Sequence, residues 1–304
     1  MLKSKEIMPP PWIAYPEIEK GSIGWRMGYG EAYLIKHGRW LNALDEADRE
    51  EYQTLFPEPV TWKGDWWEGS ADKHYSDKKF WLELWRKKGR PKYSIKWIKE
   101  LFLEKKERNY TMFWGHQPAP DGSITKSCFS QWWKSEFRSG ITTYCCMEQY
   151  MMAKKAELFG DEEICQQILQ CSDPKQIKAL GRKVRNFDEE VWNEVKYSIV
   201  LNGNYRKFTQ NKELREFLLS TGDSIIAEAS PYDGIWGIKM KQTDANILNP
   251  LKWKGENLLG FALMEVRDEI QRVWKNVDMC QEINENLSCS NIHCSKFGNC
   301  YNMI

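Results

Sequence analysis

The chain has 304 residues, which is enough for one large domain or two ordinary ones with a real hydrophobic core. Its 44 Lys and Arg residues nearly balance 43 Asp and Glu residues, which disfavours a protein that coats nucleic acid along its whole length. No run of apolar residues approaches the length of a membrane span, which is about 18 residues. The first residues contain no apolar stretch suited to a signal peptide. We therefore expect a cytoplasmic protein that does not enter a membrane and keeps its nine Cys reduced.

Tryptophan is unevenly distributed along the chain. Ten of the 16 Trp residues lie at or before Trp114, and six follow it. Indole rings cover a hydrophobic core or offer flat faces to flat ligands. We interpret residues 1–110 as a Trp-rich N-terminal extension of unknown role.

The extension opens with Pro9, Pro10 and Pro11, which predict an extended segment. A helix is predicted from a Ser76 cap to Gly89, and a second one from a Ser94 cap, with Ile95, Ile98 and Phe102 on one stripe.

The segment 76–108 is strongly basic. It holds 12 Lys and Arg against 5 Asp and Glu, so its net charge is +7 and that of the rest of the chain is −6. Trp85, Tyr93 and Trp97 lie among these cations, a pattern that suits single-stranded nucleic acid. Two amphipathic helices with Trp inward and Lys outward explain the same pattern.

Residues 111–275 are predicted to be mostly helical. The expected elements are a helix at about 147–159, one capped by Asp161, one from Asp173–Pro174 to Gly181, one from Asp188 to a stop at Gly203, one from Asn211 to near Gly222, a strand at 224–229 and a helix from Asn257 to about Trp274. This predicts a mainly α fold with a small β component.

In the helix 147–159, Glu148 and Lys155 are seven residues apart and so share one face. Met151 and Met152 lie between them, which suits a carboxylate and an amine in a lined pocket. A solvated Glu and a solvated Lys on an amphipathic helix are the alternative.

The loop 230–239 follows the predicted strand and is rich in Gly and Pro. Asp233 and Trp236 are three residues apart in it, and a carboxylate beside an indole suits a ligand with a charge and a flat ring. An Asx turn with Trp236 as a core anchor is the alternative.

An ordered series of motifs resembles the NADAR, or YbiA-like, family over roughly half the chain. The series is FWG at 113–115, FSQWW at 129–133, EQYMMAKKA at 148–156, ALGRKV at 179–184, Trp192, KFTQN at 207–211, LLSTGD at 218–223, EASPYDGIWGI at 228–238 and GENLLGFALMEVRD at 255–268.

The resemblance implies a mainly α-helical YbiA-like domain at 111–275 that cleaves ribosyl N-glycosidic bonds. One branch of the family acts on a phosphoribosylamino-pyrimidine intermediate of riboflavin synthesis, and others remove ADP-ribose from guanine in nucleic acid. The positions that match its functional motif are Glu148, Lys155, Trp192, Asp233 and Trp236. Gln149, Gln131 and Lys239 depart from the residues usual in relatives, and Lys239 bears on substrate choice.

Cleaving a ribose N-glycosidic bond builds positive charge on C1 of the sugar, for which Glu148 and Asp233 are the candidate carboxylates. Which of them handles the proton is left open. Alternatively, Lys155 forms a Schiff base with C1, provided that desolvation lowers its pKa.

Trp192 and Trp236 are expected to stack on the base and the ribose, and Arg182 and Lys207 are candidate phosphate ligands. A plain surface charge is the alternative for both cations.

The tail 276–304 is predicted to be loop. Cys289, His293, Cys294 and Cys300 match no common zinc spacing, so neither a metal nor a cofactor is expected, and a reduced tail is favoured.

The sequence favours a hydrolase whose substrate is ADP-ribosylated guanine, in single-stranded nucleic acid or in nucleotides. The alternatives are a YbiA-like phosphoribosyl N-glycosidase and a non-catalytic module that binds ADP-ribose or NAD.

Overall fold

The structure is a computed structural model that describes residues 6–63 and 91–281. The predicted helix 76–89, Arg90 after it, and Cys289, His293, Cys294 and Cys300 lie outside the described residues, as do six of the 12 basic residues of 76–108. The described chain forms two compact units, one of residues 6–58 and 273–281 and the other of residues 59–63 and 91–272. No helix in the described part is long and apolar enough to cross a membrane.

The described chain is mainly helical, as predicted, with four short strands. The helices are α1 Pro11–Ala14, α2 Tyr29–Asn42, α3 Glu46–Leu55, α4 Val60–Lys63, α5 Ile95–Leu103, α6 Met147–Leu158, α7 Glu162–Leu169, α8 Pro174–Gly181, α9 Glu189–Gln210, α10 Lys212–Ser220 and α11 Leu258–Val273. The strands are β1 Tyr110–Phe113, β2 Lys134–Ser139, β3 Thr142–Cys146 and β4 Ile225–Glu228.

The first unit contains α1 to α3 and residues 273–281. Its buried phenols satisfy backbone carbonyls: the Tyr33 hydroxyl donates to Pro9 O at 2.6 Å, and that of Tyr52 to Met8 O at 3.0 Å. His37 Nε2 lies 2.9 Å from the same Tyr52 hydroxyl, and burial lowers the pKa of His37 to about 4. The aromatic residues of this unit therefore form a core.

Two predictions at the ends of the chain differ from the structure. The segment of three prolines is not extended throughout, because Pro11 begins α1, where its missing N–H costs nothing. The tail is not loop from residue 276, since residues Val277–Met279 form a 3₁₀ turn and Cys280 pairs with Ile7 in an isolated β-bridge.

Several helix starts in the second unit are confirmed by their caps. The side chains of Ser94, Asp161, Asp173 and Asp188 each accept a hydrogen bond from a backbone N–H in the first turn of their helix. A short side chain that accepts this bond satisfies a donor that the helix itself leaves unpaired. These starts are therefore marked by local hydrogen bonds, and the Asp161 cap is additionally bound by Arg185.

The predicted helix stop at Gly203 is wrong, because α9 continues to Gln210. A Cβ on Gly203 would lie 2.6 Å from Met147 Cε and from Tyr150 Cδ1, so this glycine permits close packing of α9 on α6. Tertiary packing here overrides the weak helix propensity of glycine.

The strands form two separate pairs. β1 pairs with β4 in parallel, from Tyr110 opposite Ile225 to Phe113 opposite Glu228. β2 and β3 form an antiparallel hairpin that leads directly into α6. In a parallel pair the carboxyl ends of both strands meet at one edge, so the residues after Phe113 and Glu228 lie at the same edge.

Candidate functional site

Glu148 is buried in the first turn of α6. Only 2% of its surface is exposed, which excludes the solvated alternative, and its backbone N–H donates to Gln131 O at 2.8 Å. Trp132 also acts on the carboxyl group and lowers its pKa, while Oε1 has no hydrogen-bond partner among the described residues. Burial is the main cause that raises the pKa of Glu148 to about 7, and Lys178 opposes it. A carboxyl group with this pKa holds and releases a proton near neutral pH.

Glu228 ends β4 and is a second candidate that the sequence analysis did not single out. Burial is the main cause that raises its pKa to about 8, and the charges of Asp233 and Glu148 contribute. Its Oε2 has no hydrogen-bond partner within the described chain. Mutual electrostatic influence places Glu148, Glu228 and Asp233 in one cluster of carboxyl groups. The sequence predicted a strand at 224–229 but not its parallel partner β1, so it gave no signal that singled out Glu228.

Asn257 holds the end of β4 in place. This fully buried residue lies just before α11 with a positive φ of 55°. Its side chain accepts from the Glu228 N–H at 3.1 Å and donates to Ile226 O at 3.0 Å. The first residues of the motif GENLLGFALMEVRD therefore position Glu228.

Asp233 forms the predicted Asx turn. Its Oδ1 accepts from the backbone N–H groups of Ile235 at 2.9 Å and Trp236 at 2.8 Å. The same carboxylate influences Glu148, Glu228 and the buried Lys196 electrostatically. The Asx turn and a role in the site are therefore compatible, because the Asp233 side chain both holds the loop in its turn and adds charge to the carboxyl cluster.

Lys155 lies two turns along α6 from Glu148 and is half-buried. Its Nζ donates to Gly181 O at 2.9 Å, and it lies 4.0 Å from the Phe187 ring centroid and 5.7 Å from that of Trp192. Desolvation lowers the pKa of Lys155. The shift has the expected direction, and Phe187 and Trp192 supply ring contacts in addition to the methionines predicted to desolvate it.

The end of α8 brings cations to the site. Lys178 in its last turn is half-buried, 5.8 Å from the Trp132 ring centroid, and acts on both Glu148 and Glu228. Arg182 follows at the C-cap, is exposed, and acts on Glu148. Lys178 is thus a cation that sequence reasoning missed, one turn before the predicted Arg182.

Lys207 does not lie where a phosphate ligand is expected. It is fully buried in α9, and its Nζ donates to the carbonyls of Cys128 at 2.6 Å and Ser130 at 3.2 Å. Burial lowers its pKa to about 8. Lys207 instead holds the turn that leads into Gln131 and Trp132. Buried carbonyls need a hydrogen-bond donor, and this need explains why a cation is buried here.

Two motif departures have structural explanations. Gln149 accepts from the Cys145 N–H at 2.7 Å and donates to three carbonyls at the end of α7, including Cys171 O at 2.8 Å. Lys239 is exposed with φ at 54°, in the region that glycine tolerates best, which fits the glycine usual at this position.

Trp236 is half-buried, and its carbonyl accepts from the Leu259 N–H at 3.1 Å.

Of the predicted residues, the structure brings together Glu148, Asp233 and Arg182 electrostatically, and Lys155 with Trp192 by contact. Among the described residues, no group of His, Cys, Asp and Glu is arranged to hold a metal ion.

The NADAR domain model matches residues 112–271, which is more than half of the chain. The chain belongs to the NADAR family. It is 46% identical to N-glycosidase R617 of Acanthamoeba polyphaga mimivirus over 47% of this chain and 88% of that protein. It is 31% identical to N-glycosidase Npun_R5314 of Nostoc punctiforme over 48% of this chain and 86% of that protein. The NMR structure of the E. coli protein YbiA matches at 24% identity and a TM-score of 0.46, over 58% of this chain and 92% of that one.

Glu228 predicts a pH-dependent stability. Its folded pKa of about 8 lies above the ordinary Glu value, so the folded state binds more protons between these values and its contribution to stability is lost as pH rises through 8. We expect Glu228→Gln to leave Tm unchanged near pH 4 and to raise it at pH 8.5. The rise should be about 2–4 °C for each 1 kcal/mol gained in the free energy of unfolding. Thermal melts across this range measure the difference, with exposed Glu213→Gln as control; parallel curves for the wild type and Glu228→Gln would contradict it.

Proposed function

We propose that this NADAR protein is an N-glycosidase that removes ADP-ribose from ADP-ribosylated guanine. The observation that carries the proposal is the pair of buried carboxyl groups, Glu148 and Glu228, whose pKa values are raised to about 7 and 8. Cleavage of an N-glycosidic bond needs a proton for the departing base and negative charge near the cationic sugar. The N-glycosidase names of the relatives agree with this chemistry.

In the proposed reaction Glu148 is the proton donor, because its pKa keeps it partly protonated at neutral pH. The neutral amine of Lys155 attacks C1 of the ribose, the C1–N bond to the base breaks, and the base nitrogen takes the proton. As the C1–O4′ bond opens, the attacking nitrogen passes one proton to O4′, which gives a protonated Schiff base. Water adds to C1 and expels the neutral amine, and the proton released in this step returns to Glu148, so the net change is hydrolysis.

The substrate class is inferred from the cations and rings. Lys178 and Arg182 at the end of α8 are suited to the diphosphate of ADP-ribose. Trp192 beside Lys155 offers a stacking face for the ribose or a base. A phosphoribosyl substrate has a single phosphate and needs fewer of these groups.

Turnover on three substrates tests the proposal. Wild type and Glu148→Ala are assayed on DNA carrying ADP-ribosyl-guanine, on the phosphoribosylamino-pyrimidine and on NAD. Release of ADP-ribose from the first substrate by the wild type alone is expected. Turnover only of the pyrimidine would identify a YbiA-like activity, and no turnover on any of them would indicate a binding module.

Borohydride trapping tests the Schiff base. Adding substrate with borohydride is expected to leave a reduced adduct on the peptide that carries Lys155, because desolvation lowers the pKa of this half-buried amine and so favours its nucleophilic, neutral form. Mass spectrometry locates the adduct. Lys155→Arg should abolish it, and the matched variant Lys154→Arg on the same helix should retain it. An active wild type without any adduct would eliminate the Lys155 route.

A further inference from the structure

Two cysteines that follow one another in the chain, Cys145 and Cys146, end β3 immediately before α6, and we call them the vicinal pair. Their sulfur atoms lie 3.9 Å apart. Cys146 is fully buried and is the N-cap residue of α6, whereas Cys145 is partly exposed. The reaction proposed above uses neither thiol, so the vicinal pair is a second group of nucleophiles beside the candidate site.

The surroundings of the pair favour a thiolate on Cys145. A thiol reacts with oxidants as its thiolate, which needs partners for its negative charge. A hydrogen bond with Cys146 lowers the pKa of Cys145, and Lys134, opposite Cys146 in the β2–β3 hairpin, lowers it further, while burial and Glu136 oppose the shift. Because Cys146 is fully buried and Cys145 is partly exposed, Cys145 is the thiol that a small oxidant meets first.

Other described cysteines are in different settings. Burial raises the pKa values of Cys128 and Cys280 to about 12 and that of Cys165 to about 11, which disfavours their thiolates. Cys171 is partly exposed, but its sulfur contacts Asp173 O at 3.7 Å, and no cysteine is next to it in the chain. Cys171 is therefore a suitable control thiol, since it is also partly exposed but has no vicinal partner.

The vicinal pair is linked to the start of α6 through the backbone. The Cys145 N–H donates to Gln149 Oε1 at 2.7 Å, and Glu148 lies two residues after Cys146 in the first turn of α6. Consecutive Cα atoms are about 3.8 Å apart across a trans peptide, which is less than the about 4.4–6.8 Å of most disulfides. A disulfide within the pair therefore requires the backbone at the N-cap to change, and the first turn of α6 follows that change.

We propose that the vicinal pair is an oxidation site, at which hydrogen peroxide converts the two thiols into a disulfide that displaces the start of α6. The Cys145 thiolate attacks one oxygen of the peroxide, the O–O bond breaks, and hydroxide leaves, which gives a sulfenic acid on Cys145. The Cys146 sulfur then attacks the Cys145 sulfur, the S–O bond breaks, and water leaves with the thiol proton. Two electrons pass from the pair to the peroxide, and the reaction needs no other oxidant.

Alkylation of the full chain tests the modification without turnover. Wild type is treated with hydrogen peroxide, denatured in iodoacetamide and cut with trypsin, so that the peptide 139–154 carries both cysteines and no others. We expect this peptide to lose both labels and to regain them after dithiothreitol, which does not reverse methionine oxidation. In Cys146→Ser, dimedone should trap the sulfenic acid on Cys145, and the control Cys171→Ser should react as wild type does.

The effect on α6 has two measurements. Hydrogen exchange of the amides in the first turn of α6 should become at least about tenfold faster in the oxidised wild type. Turnover should fall at least about tenfold and recover with dithiothreitol, because a small displacement of a reacting group has effects of that size. Cys145→Ser should resist both changes. The loss of turnover rests on the proposed function, whereas alkylation and exchange do not.

Three outcomes would overturn the inference. The first is a peroxide-treated wild type in which both cysteines are still alkylated. The second is a disulfide that leaves either the exchange in α6 or the turnover of an active enzyme unchanged. The third is a Cys145→Ser variant that peroxide inactivates as it does the wild type. Failure of the proposed function gives another pattern, in which the reduced wild type cleaves no conjugate while the disulfide and the faster exchange still appear.

Discussion

Glu148→Gln is expected to lower kcat/KM for cleavage of the ribosyl–base bond by about 10²–10⁴-fold, the range that a positioned proton donor contributes. Gln retains the size of the side chain, but its amide has no acidic proton to give to the base. Because the uncharged amide needs no desolvation of a carboxylate, stability should not fall. The effect should therefore appear in kcat with Tm preserved.

The pH dependence of activity is a second test of the role of Glu148. Since the pKa of Glu148 is raised to about 7, its acid form is lost as pH rises, and wild-type activity should decline above that pH. The residual activity of Glu148→Gln should lack this decline. The matched control is Glu157→Gln, at an exposed position on the same helix, and it should behave as wild type. A Glu148→Gln enzyme with more than half of the wild-type activity would remove Glu148 from the reaction.

Lys207→Met is expected to destabilise the protein by about 2–4 kcal/mol, because the buried carbonyls of Cys128 and Ser130 lose their donor at about 1–3 kcal/mol each. Release from the cost of burying a charged amine offsets part of this loss. Urea unfolding measures the change. Lys212→Met, at an exposed residue, is the control and should change stability by less than about 0.5 kcal/mol.

Lys207 also has a predicted pH dependence. Its folded pKa of about 8 lies below the ordinary Lys value, so the unfolded state binds more protons in the interval between them and stability rises with pH there. Lys207→Met should lose this rise. Unchanged stability together with weaker binding of ADP-ribose would instead support the phosphate role that the KFTQN motif suggested.

The caps and glycines of the chain made much of the second unit predictable. Asp161, Asp173 and Asp188 bind backbone N–H groups within their own first turns, so no distant residue was needed to place these helix starts. Gly203 was misinterpreted because its role depends on Met147 and Tyr150, residues more than 50 positions away along the chain. The β1–β4 pair joins segments separated by over 100 residues, and β1 was not predicted.

The sequence by itself determined the family, through motifs in a constant order, and the candidates Glu148, Lys155 and Asp233, through their spacing in those motifs. It could not assign a proton-handling role. That depends on burial by other segments, which raises the pKa of Glu148 and lowers that of Lys155.

Only the tertiary structure reveals that Glu228, Trp132 and Lys178 belong to the candidate site and that Lys207 is buried. These four residues come from separate segments of the chain, and two of the segments, α8 and α9, both pack on α6. The pKa and the hydrogen bonds of a side chain depend on the groups that exclude water from it. For these residues, those groups come from parts of the chain remote in sequence.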